Sequence, residues 1–141
     1  MKKKILSIVA LIFVAIFALQ VIALAAQSSG ISPLNNNVLS SFTDFSISKT
    51  GNSKVDVNYT GYPNVTTGAT ITVTIKKNTF LFFWSEVVNE TYVVVGEKYR
   101  NTYNYDLSSH GPGKYRCNVT YTISGSGGAD DVIPFEKDAS Y

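Results

Sequence analysis

The tightest constraint on this 141-residue chain is a period of two. In "KVDVNYT" (54–60), Val55, Val57 and Tyr59 alternate with Asp56 and Asn58. In "TITVTIKK" (70–77), Ile71, Val73 and Ile75 alternate with Thr70, Thr72 and Thr74. In "GKYRCNVTYTI" (113–123), Tyr115, Cys117, Val119, Tyr121 and Ile123 share one parity, and Arg116, Asn118, Thr120 and Thr122 take the other. Successive side chains of an extended chain point to opposite faces, so each segment has one side to bury and one to wet. The β-branched residues suit such a pleated, half-buried surface. No window of the chain beyond the N-terminal run carries a helical stripe.

Turn residues divide the pattern. "FTDFSISK" (42–49) sets Phe45 and Ile47 on one face, and "GN" at 51–52 and "GYPN" after Thr60 supply turns. The middle is less regular: "NTFLFFWSEVVNETYVVVGEKY" predicts a strand near 82–89, another near 91–95 and a turn at Gly96-Glu97. Alternation resumes at 98–107, where Tyr99, Tyr103, Tyr105 and Leu107 share a face. Segments 114–123 and 131–137 complete the set, with "SGSGGADD" between them as a flexible turn. About eight short strands in about 95 residues, with no helices between them, predict an all-β antiparallel sandwich rather than a parallel sheet.

The N-terminus sets the compartment. Lys2, Lys3 and Lys4 precede an apolar run from Ile5 to Leu19, and "VIALAAQ" follows with small residues at Ala23 and Ala25. That order reads as a secretory signal peptide cleaved after Ala25 or Ala26. The alternative is an uncleaved anchor, because Ile5 to Ala26 reaches the ~20 residues that span a bilayer. The predicted organisation is a signal peptide at 1–25, a flexible lead-in at 26–41 and one sandwich domain at 42–141. Three of the 12 basic residues lie in the leader, so the rest of the chain carries nine against ten acidic, or −1. A near-neutral domain exerts no general pull on nucleic acid, and none is expected as a partner.

The last third resembles the immunoglobulin-like superfold. Leu107, Gly113, Tyr115 and Cys117 stand where that family has a loop leucine, a glycine, a corner tyrosine and the second cysteine of its inter-sheet bridge. The resemblance implies that the Tyr115 hydroxyl bonds back to the backbone near Leu107–Ser109. The chain departs from the family pattern in having a single cysteine, with Val55 and Val57 where the partner would lie. Cys117 is therefore expected as a buried apolar filler, with pairing to a second chain as the alternative. More loosely, "KKNTFLFFW" (76–84) and "GKYR" (113–116) resemble stretches of small secreted proteins of Gram-positive bacteria, which implies secretion and no particular activity.

Catalysis finds little to work with. His110 is the only histidine and sits in the turn "SSHGPG", with Ser108 and Ser109 as its neighbours. The acidic residues form no preferred pair, and one cysteine with one histidine makes no zinc site. Asp130 and Asp131 lack the spacing of a calcium loop and read as a solvated turn. No enzyme activity, cofactor or metal is expected.

Binding has two candidate surfaces. Phe80, Leu81, Phe82, Phe83 and Trp84 are consecutive, and neighbours on a strand face opposite ways, so at least two should lie outside the core. Such a cluster beside Lys76 and Lys77 fits a glycan, a protein groove or a membrane surface. Tyr99, Tyr103 and Tyr105, with Tyr92 nearby, form the second candidate, with core filling as the competing role. Asn58, Asn64, Asn89 and Asn118 head N-x-T triplets that would accept glycans in a eukaryotic secretory route. The expected function is a secreted, non-catalytic binding module at or outside the cell surface, with a protein or glycan partner. A membrane-active, bacteriocin-like effector and a membrane-anchored envelope module are the alternatives.

Overall fold

A computed structural model of the chain describes residues 35–141. The segment expected to be a signal peptide, 1–25, and most of the expected lead-in lie outside the described residues. Seven strands follow: β1 (Val38–Ile47), β2 (Asn52–Gly61), β3 (Thr66–Phe80), β4 (Phe83–Val95), β5 (Lys98–Asp106), β6 (Lys114–Gly125) and β7 (Asp131–Ser140). Every pairing is antiparallel. They form a three-stranded sheet, β1-β2-β5, and a four-stranded sheet, β4-β3-β6-β7. This is an immunoglobulin-like β-sandwich, the expected class.

The alternating faces meet between the sheets. Val55, Val57 and Tyr59 from β2 oppose Ile71, Val73 and Ile75 from β3 and Tyr115, Cys117, Val119, Tyr121 and Ile123 from β6, each at most 1% exposed. Burying a large apolar side chain contributes about 1.5–3 kcal/mol, so this row supplies most of the driving force. Tyr121 also ties the sheets together: its hydroxyl bonds the Phe42 carbonyl at 3.1 Å and the Thr43 hydroxyl at 2.6 Å. Among the described residues, no buried side-chain polar atom lacks a partner. The strands find all their partners within 38–140 and enclose one core, so the described residues carry what a domain needs to fold by itself.

Three expectations need correction. The strands predicted at 82–89 and 91–95 are one strand, β4, which brings the count to seven. Ile75 pairs with Val88 and Lys76 with Glu86, leaving Val87 as an extra residue. A bulge of this kind inverts side-chain parity, so the sequence beyond it no longer alternates in phase. The lead-in, predicted to run to residue 41, yields its last residues to β1. Asn37 is fully buried, with Asn36 and Asn37 amides donating to the two Asp131 carboxylate oxygens at 2.9 and 2.7 Å. The Asn37 side chain donates to the Ala129 carbonyl at 2.9 Å and accepts from the Gly127 amide at 3.1 Å. The glycines of "SGSGG" thus serve close approach: a Cβ at Gly127 would lie 2.1 Å from the Asn36 carbonyl oxygen.

The corner is the third. Tyr115 is buried, but its hydroxyl donates to the Gly111 carbonyl at 2.5 Å rather than near Leu107–Ser109. Ser108–His110 wind into a single 3-10 turn, which brings the Gly111 carbonyl to the Tyr115 hydroxyl. The Leu107 carbonyl accepts instead from the Tyr141 hydroxyl at 3.0 Å, and the Tyr141 and Tyr115 rings stack at 5.8 Å.

Candidate functional site

Strand β3 is longer than the sheet that holds it. Its last pair with β6 is Lys77 with Tyr115, while its pairing with β4 continues to Phe80 and Phe83. The β3–β4 hairpin therefore overhangs the sheet by three residues, or about 10 Å at roughly 3.3 Å per residue. A two-residue turn, Leu81-Phe82, closes it, and Leu81 sits at φ +47°. Left-handed backbone costs a residue with a Cβ about 1–2 kcal/mol, and turns of this kind favour glycine or asparagine.

The end of the overhang is apolar, four consecutive large hydrophobic side chains long. Phe80, Leu81, Phe82 and Phe83 are 66, 67, 89 and 68% exposed. The polar side chains there bond the hairpin's own backbone: Asn78 Nδ2 donates to the Leu81 carbonyl at 3.0 Å, and the Thr79 hydroxyl to the Phe83 carbonyl at 3.3 Å. The tip thus presents hydrocarbon and rings, with its own side-chain hydrogen bonds already made.

At its base the hairpin is braced. Trp84 is half-buried, with the Arg116 guanidinium 4.5 Å and the Lys114 ammonium 5.8 Å from its ring centre. Arg116 is held in turn by both oxygens of Asp138, at 2.8 and 3.2 Å, and Lys114 reaches the same carboxylate at 2.7 Å. The Arg116 hydrogen bonds hold the Asp138 carboxyl at about 2, well below the usual carboxylate range. On the other face Lys77 Nζ donates to the His110 carbonyl, tying the hairpin to the 107–113 loop. An open hollow of about 520 Å³ lies there, lined by Lys77, Asn78, Thr79, Ser85 and His110 among others.

The structure separates the two candidate surfaces. Phe82 and Phe83 stand on the open tip and Trp84 at its base, whereas the tyrosines of β5 face inward. Tyr103 is buried, 8% exposed, and its ring stacks on Tyr92 at 3.9 Å. Tyr99 and Tyr105 are half-buried and bond the hydroxyls of Tyr103 and Tyr92 at 2.9 and 3.0 Å. Burial pushes the Tyr103 and Tyr105 phenols well above their ordinary range. Tyr103 is thus core packing and offers no docking surface, whereas Tyr99 and Tyr105 pack against the core with part of each ring still open.

The other singled-out residues fall as follows. Cys117 is free and fully buried, and burial pushes its thiol up to about 12. Asp131 is 2% exposed with its carboxylate committed to backbone amides, not part of a solvated turn. Among the sequon residues, Asn64 and Asn89 are exposed, whereas Asn58 and Asn118 are half-buried on the outer sheet faces. Asn89 and Asn118 hydrogen-bond the Glu86 and Glu136 side chains at 3.1 and 2.8 Å. What the sequence did not disclose was the brace of Lys114, Arg116 and Asp138 around Trp84. Its only signal was the outward parity of Arg116, and the ring it covers lies across β3, more than 30 positions away.

No protein-family model and no curated protein matches the chain. Two solved structures of a beta-glucosidase from Listeria innocua, in complex with isofagomine and with glucose, are similar to it over 73% and 74% of its length. Both are 15% identical to it with a TM-score of 0.41, and the chain spans only 16% of their length. At that level the likeness carries nothing over to this chain.

Proposed function

We propose that the chain is a non-catalytic binding module acting at or outside the cell surface, with the β3–β4 tip as its contact element. The observation that carries this reading is the run Phe80–Phe83, each side chain about two-thirds exposed or more on a hairpin that clears the sheet. Contiguous exposed apolar surface favours association and is uncommon on domains that stay monomeric and unbound. Burying the four side chains offers about 5–10 kcal/mol gross, from which the entropy of association must be subtracted. That range supports a contact of moderate affinity. The Cys117 thiol is sealed in the core and the Asp131 carboxylate is bound to amides, so neither side chain faces a partner. The tip and the start of β1 lie at opposite ends of the sandwich.

The test compares purified residues 35–141 with the Phe82→Ser/Phe83→Ser variant, against washed cells and their wall and membrane fractions. Exposed substitutions of this kind change stability by only about 0.5 kcal/mol either way, so thermal unfolding should be near wild type. Binding to at least one fraction, lost in the variant, is the expected result. Binding to none, or binding indifferent to the variant, refutes the assignment.

A further inference from the structure

Resting on the tip as contact element, we infer that its partner is a lipid bilayer, entered to interfacial depth. The order of chemistry along the hairpin carries the inference. Outermost come Phe80, Leu81, Phe82 and Phe83; the next rank holds Trp84; behind it stand the cations Lys77, Lys114 and Arg116. Acyl chains, the interfacial zone where tryptophan concentrates, and anionic headgroups follow one another in the same sequence through a leaflet. The overhang of about 10 Å matches the ~5–10 Å to which interfacial elements bury their apolar faces. It is far short of a hydrocarbon core ~30 Å thick, so the tip docks without spanning.

Two further features favour lipid over a protein groove. Asn78 and Thr79 direct their side-chain donors back to the hairpin's own carbonyls, which is what an environment without water demands. Four consecutive apolar side chains are open at once, none sunk into a cleft, which suits a fluid, non-directional phase better than a shaped pocket. The turn reinforces this, because Leu81 holds a left-handed conformation that glycine would adopt freely. Backbone strain retained at an exposed position points to a use for the side chain that causes it.

The test is co-sedimentation of residues 35–141 with vesicles of phosphatidylcholine alone and with phosphatidylglycerol added. Emission of Trp84, the only tryptophan, is followed with acyl chains brominated to quench it. Binding with quenching is expected, weakened about 10-fold for each phenylalanine removed in Phe82→Ser and Phe83→Ser. Leu81→Gly, which relieves the turn, should keep the fold and still lose several-fold in binding. Lys77, Lys114 and Arg116 should make anionic vesicles preferred by about 5-fold or more at low salt. An encapsulated dye should stay inside. Failure to pellet with either vesicle, or pelleting indifferent to the tip variants, overturns the lipid assignment. Dye release at docking concentrations overturns the interfacial depth. Capture by wall or protein fractions alone, still dependent on the tip, overturns the lipid partner while leaving the tip as contact element. No tip-dependent binding to any of these removes both readings.

Discussion

Replacing Asp131 with alanine gives the most direct measure of how the two ends of the sandwich chain are joined. Its carboxylate accepts the Asn36 and Asn37 amides at 2.9 and 2.7 Å from a position that is 2% exposed. Hydrogen bonds to a charged group contribute about 1.5–3 kcal/mol each, and a buried donor left without a partner costs about as much. Water can reach the half-buried Asn36 amide and recover part of that loss, so the net expectation is about 2–4 kcal/mol. In a domain of this size each kcal/mol moves the midpoint by about 4–8 °C, and the variant should melt roughly 8–30 °C early. Urea unfolding should show a lower midpoint with an unchanged slope, because the surface exposed on unfolding is the same. Asp131→Asn retains one acceptor and should fall between. The control is Asp130→Ala, the exposed neighbour, for which a change within about 0.5 kcal/mol is expected. Equal effects at 130 and 131 would show that the staple contributes nothing and that the glycine-rich segment behaves as the loose turn its composition suggests.

Other outcomes follow from the same coordinates. Cys117, sealed and with its thiol pushed up to about 12, should resist a disulfide reagent at pH 8 and react only as fast as the protein unfolds; rapid native-state labelling would contradict its placement. Asp138 should titrate by carboxyl NMR at about 2 and return toward 3.8 in Arg116→Ala. Its folded value is depressed, so its contribution to stability is present above the unfolded value near 3.8 and disappears as pH falls through about 2; a titration unaffected by Arg116→Ala would refute the pairing. Tyr141→Phe keeps the stack on Tyr115 but strips the bond to the Leu107 carbonyl, and should cost about 1–2 kcal/mol in urea unfolding. An unchanged midpoint would place the corner's strength elsewhere.

The faces of β2, β3 and β6 were legible because their rule is local: one residue in, the next out. Val55, Val57, Ile71, Val73, Tyr115, Cys117 and Val119 needed nothing but parity. The rule failed where a single residue changed the phase. Val87 does so in the bulge of β4, and the Leu81-Phe82 turn carries none of the glycine, asparagine or proline that marks a reversal. Asn37 was unreadable for a different reason. A polar residue next to other polar residues looks solvated until a distant carboxylate and a glycine-rich loop close around it. The exposed phenylalanines could be foreseen from their adjacency alone, but the ions bracing Trp84 depend on registry across β3, which local pattern does not encode.

The fold and the proposed contact element depend on one topological choice. In antibody constant domains the fourth strand lies in the first strand's sheet, so the third and fourth strands end in different layers. Here the two-residue turn leaves no chain to cross between layers, and β4 must pair with β3. Paired strands can outgrow their sheet together, because each satisfies the other's backbone over the extra length. A two-stranded ribbon alone is marginal in water, so the overhang requires fixing where it departs. Trp84 beneath Arg116, Arg116 on Asp138, and Lys77 on the His110 carbonyl provide that fixing on both faces. The ordering cost of presenting four apolar side chains is therefore met during folding instead of on contact, which is where rigid presentation gains affinity. On the proposed reading Arg116 supports docking by holding Trp84 in place, in addition to the charge it offers headgroups. An Arg116→Ala protein with its tip sequence intact should dock more weakly at an unchanged tip composition, and equal docking would mean the hairpin needs no brace.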